Sequence, residues 1–316
     1  MILELLQNLG QLQMASIALL VAFGFTALLL HAFCDKLPQD QGREFAVNGQ
    51  LSKGKARGAG VLFIPAIALM ALVFVPFSIE FFIYMVLLVA SMLSGYLDDA
   101  AQTPWNEYKK GLIDFAIALI AGITYVGFNP SAFQLFGMRV SIPAPLYVLL
   151  AVVLIWTSIN VTNCTDGVDG LSSMITLVTL ATFLIAFYTE LGDFANVIVV
   201  FVGGLLAYLW CNVSPSTLMM GDAGSRAIGF FIAVVAMKSG HPVAYVLAAL
   251  VFILDGGLGI LKISLKRFLK IWILKNIRTP LHDEARKNRG WSDSQVVLRF
   301  AMLQVLISAV LLLIVS

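Results

Sequence analysis

Long apolar stretches separated by short polar segments dominate this chain. A helix needs about 20 apolar residues to cross a hydrocarbon core of about 30 Å. Ten apolar runs lie at residues 13–33, 60–77, 79–97, 112–128, 144–160, 171–189, 194–211, 226–238, 242–263 and 296–315. The pattern predicts an all-α polytopic membrane protein with ten transmembrane helices, and the connections are too short for a second, soluble domain. Residues 1–316 therefore form one integral-membrane domain.

Three shorter features add detail to this pattern. Residues 128–143, which contain Asn129-Pro130 and Pro143, predict a short external hairpin. Residues 264–278 interleave cations with bulky apolar side chains and predict an interfacial amphipathic helix, whose simplest role is a membrane-surface anchor. Ser292 and Gln295 have the spacing of a capping box and predict the start of the last span.

Composition and charge orient these spans in the membrane. The chain is 60% hydrophobic and 12% charged, with a mean hydropathy of +0.93. Eighteen of its 20 Lys and Arg residues fall in or beside alternate connections, which leaves only Arg139 and Lys238 for the other side. Because cytoplasmic loops are enriched in Lys and Arg, these connections are expected to be cytoplasmic and both termini to face outward. The cytoplasmic connections are 34–59, 98–111, 160–170, 212–225 and 264–295.

The densest polar segment lies between the fifth and sixth spans. Asn160, Asn163, Asp166 and Asp169 recur every three residues, and each step slips by roughly 60° around a helix. The helix is therefore expected to stop before the fourth residue. The glycines that follow can turn the chain so that Asn163, Asp166 and Asp169 converge on one ligand. The alternative is a polar interhelical turn with an Asx cap.

Two adjacent carboxylates, Asp98 and Asp99, end the third span. They repel each other and lie at the unfavourable end of the helix dipole. A divalent cation with oxygen ligands would relieve both penalties. Lys109 and Lys110 begin the fourth span, where they either snorkel to lipid headgroups or contact a phosphate.

A second acidic position stands in a glycine-flanked turn before the eighth span. Asp222 there either caps the helix or belongs to a site. Asn212 ends the seventh span, ten residues earlier. In the first connection, the segment from Lys53 to Arg57 alternates cations with small residues, which suits a phosphate but is also typical of a solvated basic loop.

The last long connection contains His282 beside two acids, which alone is weak evidence for a site. Asp255 lies inside the ninth span. A carboxylate within a membrane indicates function by default, although the two glycines beside it also suit a helix-packing contact.

Taken together and in order, these motifs resemble those of the polyprenyl-phosphate N-acetylhexosamine-1-phosphate transferases. The resemblance covers about residues 53–300 and is nearest to the branch that transfers phospho-MurNAc-pentapeptide. The motifs are Leu97-Asp98-Asp99, Asn160-x-x-Asn163-x-x-Asp166-Gly-x-Asp169-Gly-Leu171, Met220-Gly-Asp222-x-Gly-Ser225, Thr279-Pro-Leu-His282 and Gly290-Trp-x-x-x-Gln-Val-Val-x-Arg-Phe300.

The resemblance implies a ten-helix enzyme of the bacterial cytoplasmic membrane, often a homodimer, with its site on the cytoplasmic face. It implies Mg²⁺-dependent transfer of phospho-MurNAc-pentapeptide from UDP-MurNAc-pentapeptide to undecaprenyl phosphate, which gives lipid I and UMP in peptidoglycan synthesis. Its partners are then these two substrates and membrane lipids, with no nucleic acid.

Transferred by matching position, the resemblance assigns roles to individual residues. Asp98 and Asp99 face the phosphates, and Asp98 either serves as base for the lipid phosphate or attacks covalently. Asp222 is the Mg²⁺ ligand, with His282 nearby as a further catalytic residue. The substrate-binding residues are Lys53, Lys110, Asn163, Asp166, Asp169 and Asn212.

The chain departs from the family pattern at two places. Family members often have three successive histidines where this chain has His282-Asp283-Glu284, so only the first is transferred. The family's Gly-Thr-Pro-Thr-Met-Gly-Gly loop is replaced at residues 54–60, which leaves the substrate lysine ambiguous, and Lys53 is taken for it.

Two other functions compete with this prediction. One is a sister transferase that uses UDP-GlcNAc, against which the segment from Gly290 to Phe300 argues. The other is an ion-coupled secondary transporter. Transporter sites lie near the membrane midplane, often between inverted repeats, whereas the acids here collect at one interface and no repeat is visible.

Overall fold

The computed structural model describes residues 10–40, 42, 52–101, 103, 105–135 and 137–315. The predicted first connection, 34–59, is thus described only in part, and the extreme termini lie outside these residues. The fold is a bundle of helices with four short strands. The helices are α1 (Gln11–Phe33), α2 (Gly60–Phe74), α3 (Ile79–Asp99), α4 (Glu107–Phe128), α5 (Ala144–Thr165), α6 (Leu171–Ala186), α7 (Phe194–Asn212), α8 (Gly221–Lys238), α9 (Pro242–Ala248), α10 (Leu250–Leu269), α11 (Leu281–Lys287) and α12 (Asp293–Val315). The strands are β1 (Ala56–Arg57), β2 (Ala132–Leu135), β3 (Met138–Ser141) and β4 (Leu218–Met219).

All ten predicted apolar runs are helical, but they differ in how well they suit a membrane. Among the described residues, six helices are long and apolar enough to span one, namely α1, α3, α4, α5, α7 and α12. Helices α9 and α10 together form a seventh candidate, bent by 69° at its break. Helices α2 and α6 are apolar but have only 15 and 16 residues, and α8 carries three charged residues. The protein is a helical multi-pass membrane protein.

Helix α8 is the centre of the bundle. Its residues from Ala223 to Met237 are all buried, and it packs against α3 on one side and α5 on another. A helix that is apolar all round belongs in the interior of a bundle. Phe231 of α8 stacks on Phe201 of α7 with ring centroids 4.0 Å apart. Asp222 therefore stands at the start of the central helix.

Glycines let the backbones of α2 and α3 touch the start of α8. A Cβ added at Gly60 would lie closer than 3.0 Å to the backbone of Gly224, and one added at Gly95 would lie equally close to the backbone of Asp222. Real Cβ atoms essentially never approach so closely. Residues at the end of α3 and the start of α8 are therefore fixed relative to each other.

Strands β1 and β4 bring the basic loop, which we define as residues 53–57, to the start of α8. Strand β1 pairs in parallel with β4, and Arg57 lies opposite Met219. The N–H of Gly60 then donates to the carbonyl of Met220 at 3.1 Å. This pairing brings the segment before α2 against the segment before α8, although the two are far apart in sequence.

The predicted hairpin and the predicted cap of the last helix are confirmed. Strands β2 and β3 pair antiparallel within residues 128–143. The N–H of Gln295 donates to Ser292 Oγ at 3.2 Å, and the N–H of Ser292 donates to Gln295 Oε1 at 3.0 Å. These reciprocal bonds form the predicted capping box and fix the start of α12.

The predicted amphipathic helix at 264–278 is wrong as a single element. Helix α10 ends at Leu269, Lys270 has a left-handed backbone with φ of 59°, and no helix covers residues 270–280. The physical reason is that Ile271–Leu274 are four consecutive apolar residues. On a helix they would be distributed around most of the circumference, so they could not share one apolar face. Trp272 remains largely exposed, with Lys266 over its ring.

Candidate active site

The two adjacent acids at the end of α3 are each neutralised by a different cation. Asp98 is buried, forms an ion pair with Lys110 of α4, and accepts the Trp105 N–H at 2.9 Å. Asp99 Oδ1 lies 2.6 Å from the Arg57 guanidinium. The repulsion expected from the sequence is thus relieved by protein cations from two separate segments.

Asp99 also contacts the start of α8. Its Oδ2 accepts the N–H of Asp222 at 2.8 Å, where the positive end of the helix dipole favours a carboxylate. Gly221 makes this approach possible, because its φ is +67° and a Cβ there would lie 2.5 Å from Asp99 Oδ2. The structure therefore brings Asp99 and Asp222 together.

The carboxylate of Asp222 stands apart from these pairs. It is half-buried, and in the part of the chain that the structure describes it has no hydrogen bond or ion pair of its own. One turn further along α8, Arg226 forms a buried ion pair with Asp114 of α4. Asp222 is thus an acid within a group of paired charges and remains available to a ligand.

The polar loop between α5 and α6 packs against the same end of α8. Helix α5 ends at Thr165, before the fourth polar residue, as predicted, and Asp166 follows as its C-cap. Asn163 Nδ2 donates to Ser225 Oγ at 3.0 Å. Asp169 Oδ2 lies 2.9 Å from Lys55 Nζ and accepts the Ser216 N–H at 3.3 Å. Asn163 and Asp169 therefore connect this loop to α8 and to the basic loop.

Asn212 contacts the backbone with both the oxygen and the nitrogen of its side-chain amide. Its Oδ1 accepts the Gly170 N–H at 2.8 Å, its Nδ2 donates to the Leu218 carbonyl at 2.9 Å, and the residue is buried. These bonds tie the loop before α6 to β4. Its role in nucleotide binding stays a prediction.

His282 is held by an acid from the bent span. Its Nδ1 lies 2.8 Å from Asp255 Oδ2, and its backbone N–H donates to Asp255 Oδ1 at 2.7 Å. Both residues are buried. The opposite ring nitrogen faces Gly167, where a Cβ would lie closer than 3.0 Å to Nε2. His282 is thus fixed against the loop that carries Asp166 and Asp169.

The basic loop places Lys55, which lies within the predicted segment, in contact with the loop after α5, and the role of Lys53 stays a prediction. Lys53 is exposed, while Lys55 Nζ contacts both Asp169 and Ser216 Oγ at 2.9 Å. The pairing of β1 with β4 holds the next two residues, Ala56 and Arg57, beside Leu218 and Met219. The alternation of cations with small residues was the sequence signal, but it did not determine the register.

The described residues contain no group of three or more His, Cys, Asp or Glu side chains placed to hold a metal. Mg²⁺ does not require such a cluster, because it usually keeps several waters and binds through one or two carboxylates plus substrate phosphates. The carboxylate of Asp222, which has no partner among the described residues, fits a ligand of this kind.

Comparison with known proteins points to one group. The glycosyl transferase family 4 profile matches residues 81–240. The chain is 40% identical over 331 residues to a phospho-N-acetylmuramoyl-pentapeptide-transferase of Treponema pallidum subsp. pallidum, covering 98% of this chain and 91% of the relative. The figures for the protein of that name from Treponema pallidum (strain Nichols) are the same. Another of that name, from Wolbachia sp. subsp. Drosophila simulans (strain wRi), is 25% identical over 264 residues, covering 79% of this chain and 81% of the relative.

Proposed function

Since the chain belongs to the phospho-N-acetylmuramoyl-pentapeptide-transferase family, we propose that it transfers phospho-MurNAc-pentapeptide from UDP-MurNAc-pentapeptide to undecaprenyl phosphate. The products are lipid I and UMP. An oxygen of the lipid phosphate attacks the phosphorus bonded to the sugar, and the bond from that phosphorus to UMP breaks. This step belongs to peptidoglycan synthesis.

The observation that carries the proposal is the contact between Asp99 and Asp222. It joins the end of α3 to the start of the central helix, and Arg57 and Lys110 pair with the two acids at that end of α3. Transfer between two anionic substrates needs charge neutralisation and in-line positioning more than covalent help. Arg57 and Lys110 each retain N–H donors beyond those used on Asp99 and Asp98, and these donors suit phosphate oxygens.

Mg²⁺ is the cofactor of the proposed reaction, with Asp222 as its protein ligand. Asp222 fits this role because its carboxylate is half-buried and has no other partner in the described part of the chain. When bound, the cation supplies neutralisation of the diphosphate. Asp99 holds the backbone at which Asp222 stands, and Asp98 takes the proton from the lipid phosphate.

The remaining site residues serve the nucleotide side of the proposed pocket. Asp169 with Lys55 holds the loop after α5 against the basic loop, and Asn163 and Asp166 lie in the same polar segment. His282 is a further candidate catalytic residue, because Asp255 fixes its ring against that loop. Lys55 is the proposed substrate lysine of the basic loop, because it lies against Asp169 and Ser216, and Lys53, the lysine predicted from the sequence, stays the alternative.

We place the protein in the bacterial cytoplasmic membrane with ten spans, both termini outside and the site on the cytoplasmic face. Helices α2 and α6 count as spans because they are buried in the bundle and apolar. Helix α8 counts because its charges lie near its two ends and in one ion pair. We also propose that the protein is a homodimer. The mass of the detergent-solubilised protein tests this oligomeric state.

Turnover of defined substrates tests the function. Purified protein is incubated with undecaprenyl phosphate and either UDP-MurNAc-pentapeptide or UDP-GlcNAc, and UMP release is followed with and without a chelator. We expect UMP only from UDP-MurNAc-pentapeptide and only with a divalent cation present. UMP from UDP-GlcNAc alone would assign the sister activity, and no UMP from either would contradict the transferase assignment. Activity that survives thorough chelation would overturn the Mg²⁺ requirement.

Asp222→Asn tests the metal ligand separately. The variant should fold but lose turnover, and any residual activity should need more Mg²⁺. Full activity at the wild-type Mg²⁺ requirement would show that Asp222 is not the ligand.

A further inference from the structure

A charged pair lies inside the bundle beside the proposed metal ligand. Asp114 of α4 and Arg226 of α8 are 2% and 4% exposed and form an ion pair with each other. Burying two charges is expensive, and replacing a buried pair by apolar residues is often neutral or stabilising. Charged side chains within spans are therefore rare and usually serve function.

Arg226 could have paired with an acid of its own helix, because Asp222 lies at the right spacing on α8. Asp222 and Arg226 are four residues apart, and an acid placed four residues before a cation is the favourable order for an ion pair within one helix. Arg226 nevertheless pairs across to Asp114. Asp222 has no partner for its carboxylate within residues 10–40, 42, 52–101, 103, 105–135 and 137–315.

The guanidinium of Arg226 is not fully used by this pair. Its Nε is buried without a hydrogen-bond partner, while one terminal nitrogen donates to Asp114 Oδ1. Leaving buried donors without an acceptor costs free energy, so Arg226 should turn to an acceptor within reach once its own acid is removed. The nearest acid on its own helix face is Asp222, one turn away.

We infer that Asp114 is a positioning residue that holds Arg226 away from Asp222 and so keeps the Asp222 carboxylate available to a divalent cation. The inference rests on the proposed function, because it takes Asp222 as the metal ligand. The acid of α3 follows the same arrangement, since Asp98 pairs with Lys110 of α4. Each of these two cations pairs with an acid from another helix, and neither pairs with Asp222.

Direct metal binding tests the inference without relying on turnover. Mn²⁺ replaces Mg²⁺ as the probe, and the fall of its free electron paramagnetic resonance signal measures binding to the purified full-length protein in lipid nanodiscs. Asp114→Asn removes the charge but keeps the shape. The neutral amide oxygen is a weaker acceptor for a guanidinium than a carboxylate, so Arg226 should turn to Asp222 and Mn²⁺ binding should weaken by about tenfold, which corresponds to about 1.4 kcal/mol.

The double variant Asp114→Asn with Arg226→Met supplies the decisive comparison. It removes the competing cation as well, so Mn²⁺ binding should return to the wild-type value. Arg226→Met alone should not weaken Mn²⁺ binding, although it leaves Asp114 without its cation. Glu80→Gln is the matched control, because Glu80 also pairs with a cation of α8, Lys238, at the opposite end of the helix. It should leave Mn²⁺ binding unchanged even where it lowers the unfolding temperature.

The outcomes separate this inference from the function on which it rests. Unchanged Mn²⁺ binding in Asp114→Asn, together with lost binding in Asp222→Asn, overturns the inference and leaves the metal role of Asp222 intact. Wild-type Mn²⁺ binding in Asp222→Asn overturns the metal role itself. If Asp114→Asn does not fold, weaker binding in Arg226→Met than in the wild type overturns the inference, since that variant adds no competing cation.

Discussion

Asp99 Oδ2 accepts the backbone N–H of Asp222 at 2.8 Å, across 123 residues of sequence. The same carboxylate pairs with Arg57 through its other oxygen. One side chain thus joins three segments: the end of α3, the start of α8 and the basic loop before α2.

Asp99→Asn should loosen this junction. A hydrogen bond to a charged group is worth about 1.5–3 kcal/mol, so we expect a lower unfolding temperature and a large loss of turnover. Glu107→Gln is the matched control, because Glu107 pairs with Arg267 at the exposed surface, where such pairs contribute at most about 1 kcal/mol. Equal effects of the two substitutions would contradict the role given to Asp99.

The two lysines of the basic loop should differ in their effect on nucleotide binding. Lys55→Met removes the partner of Asp169 and should weaken binding of UDP-MurNAc-pentapeptide by about tenfold, measured by calorimetry. Lys53→Met, at an exposed position two residues earlier, should have little effect. The reverse order would favour the lysine chosen from the sequence.

Asp169→Asn tests the ion pair between Lys55 and Asp169 by changing its acidic partner. The substitution removes the negative charge that Lys55 and the Ser216 N–H both contact. Nucleotide affinity should fall, and adding Lys55→Met should cause less loss than the sum of the single effects, because both remove one contact. An unchanged affinity in folded Asp169→Asn would remove this residue from the site.

Gly167→Ala should displace His282. The added Cβ would lie closer than 3.0 Å to the imidazole Nε2, and Asp255 holds the opposite side of the ring, so the ring cannot move without cost. Overpacking of this kind costs about 1–3 kcal/mol. Gly111→Ala is the control, because nothing lies within 4 Å of a Cβ there; it should leave stability and turnover nearly unchanged. Normal turnover in Gly167→Ala would show that the ring position is not needed.

Single cysteines test the orientation in the membrane. Arg139→Cys and Lys287→Cys, each in a background without Cys34, Cys164 and Cys211, place a thiol at an exposed position of the hairpin and of the last connection. An impermeant reagent should label only position 139 in intact cells. Labelling of position 287 would reverse the proposed topology.

The sequence was sufficient where a residue's surroundings follow from its own segment. Ten apolar runs became helices, and the Ser292–Gln295 cap formed as its spacing required. The meeting of Asp99 with Asp222 also follows from pattern, since both acids stand at span ends that the charge bias puts on one side.

The sequence was insufficient where a residue's partner comes from a distant segment. Strand β1, which follows Lys55 directly, pairs with the distant strand β4, and no local signal encodes that pairing. Asn212 has an amide of the kind that binds ligands, but this amide accepts from the Gly170 N–H and donates to the Leu218 carbonyl. Neither partner could be identified from the sequence around Asn212. The 69° break between α9 and α10 falls at Ala249, where the sequence has neither the proline nor the glycine that would have predicted it.

Helices α2 and α3 approach the start of α8 closely at Gly60 and Gly95. This approach limits which substitutions the enzyme can accept during evolution. At that level backbone meets backbone, and a rotamer change cannot absorb a new side chain. In a saturation library selected for growth, these two positions should accept no other residue. Gly24 and Gly127, helical positions where an added Cβ would meet open space, should tolerate substitution far better. Inherited variation should therefore accumulate elsewhere in α2 and α3 before it reaches these two glycines.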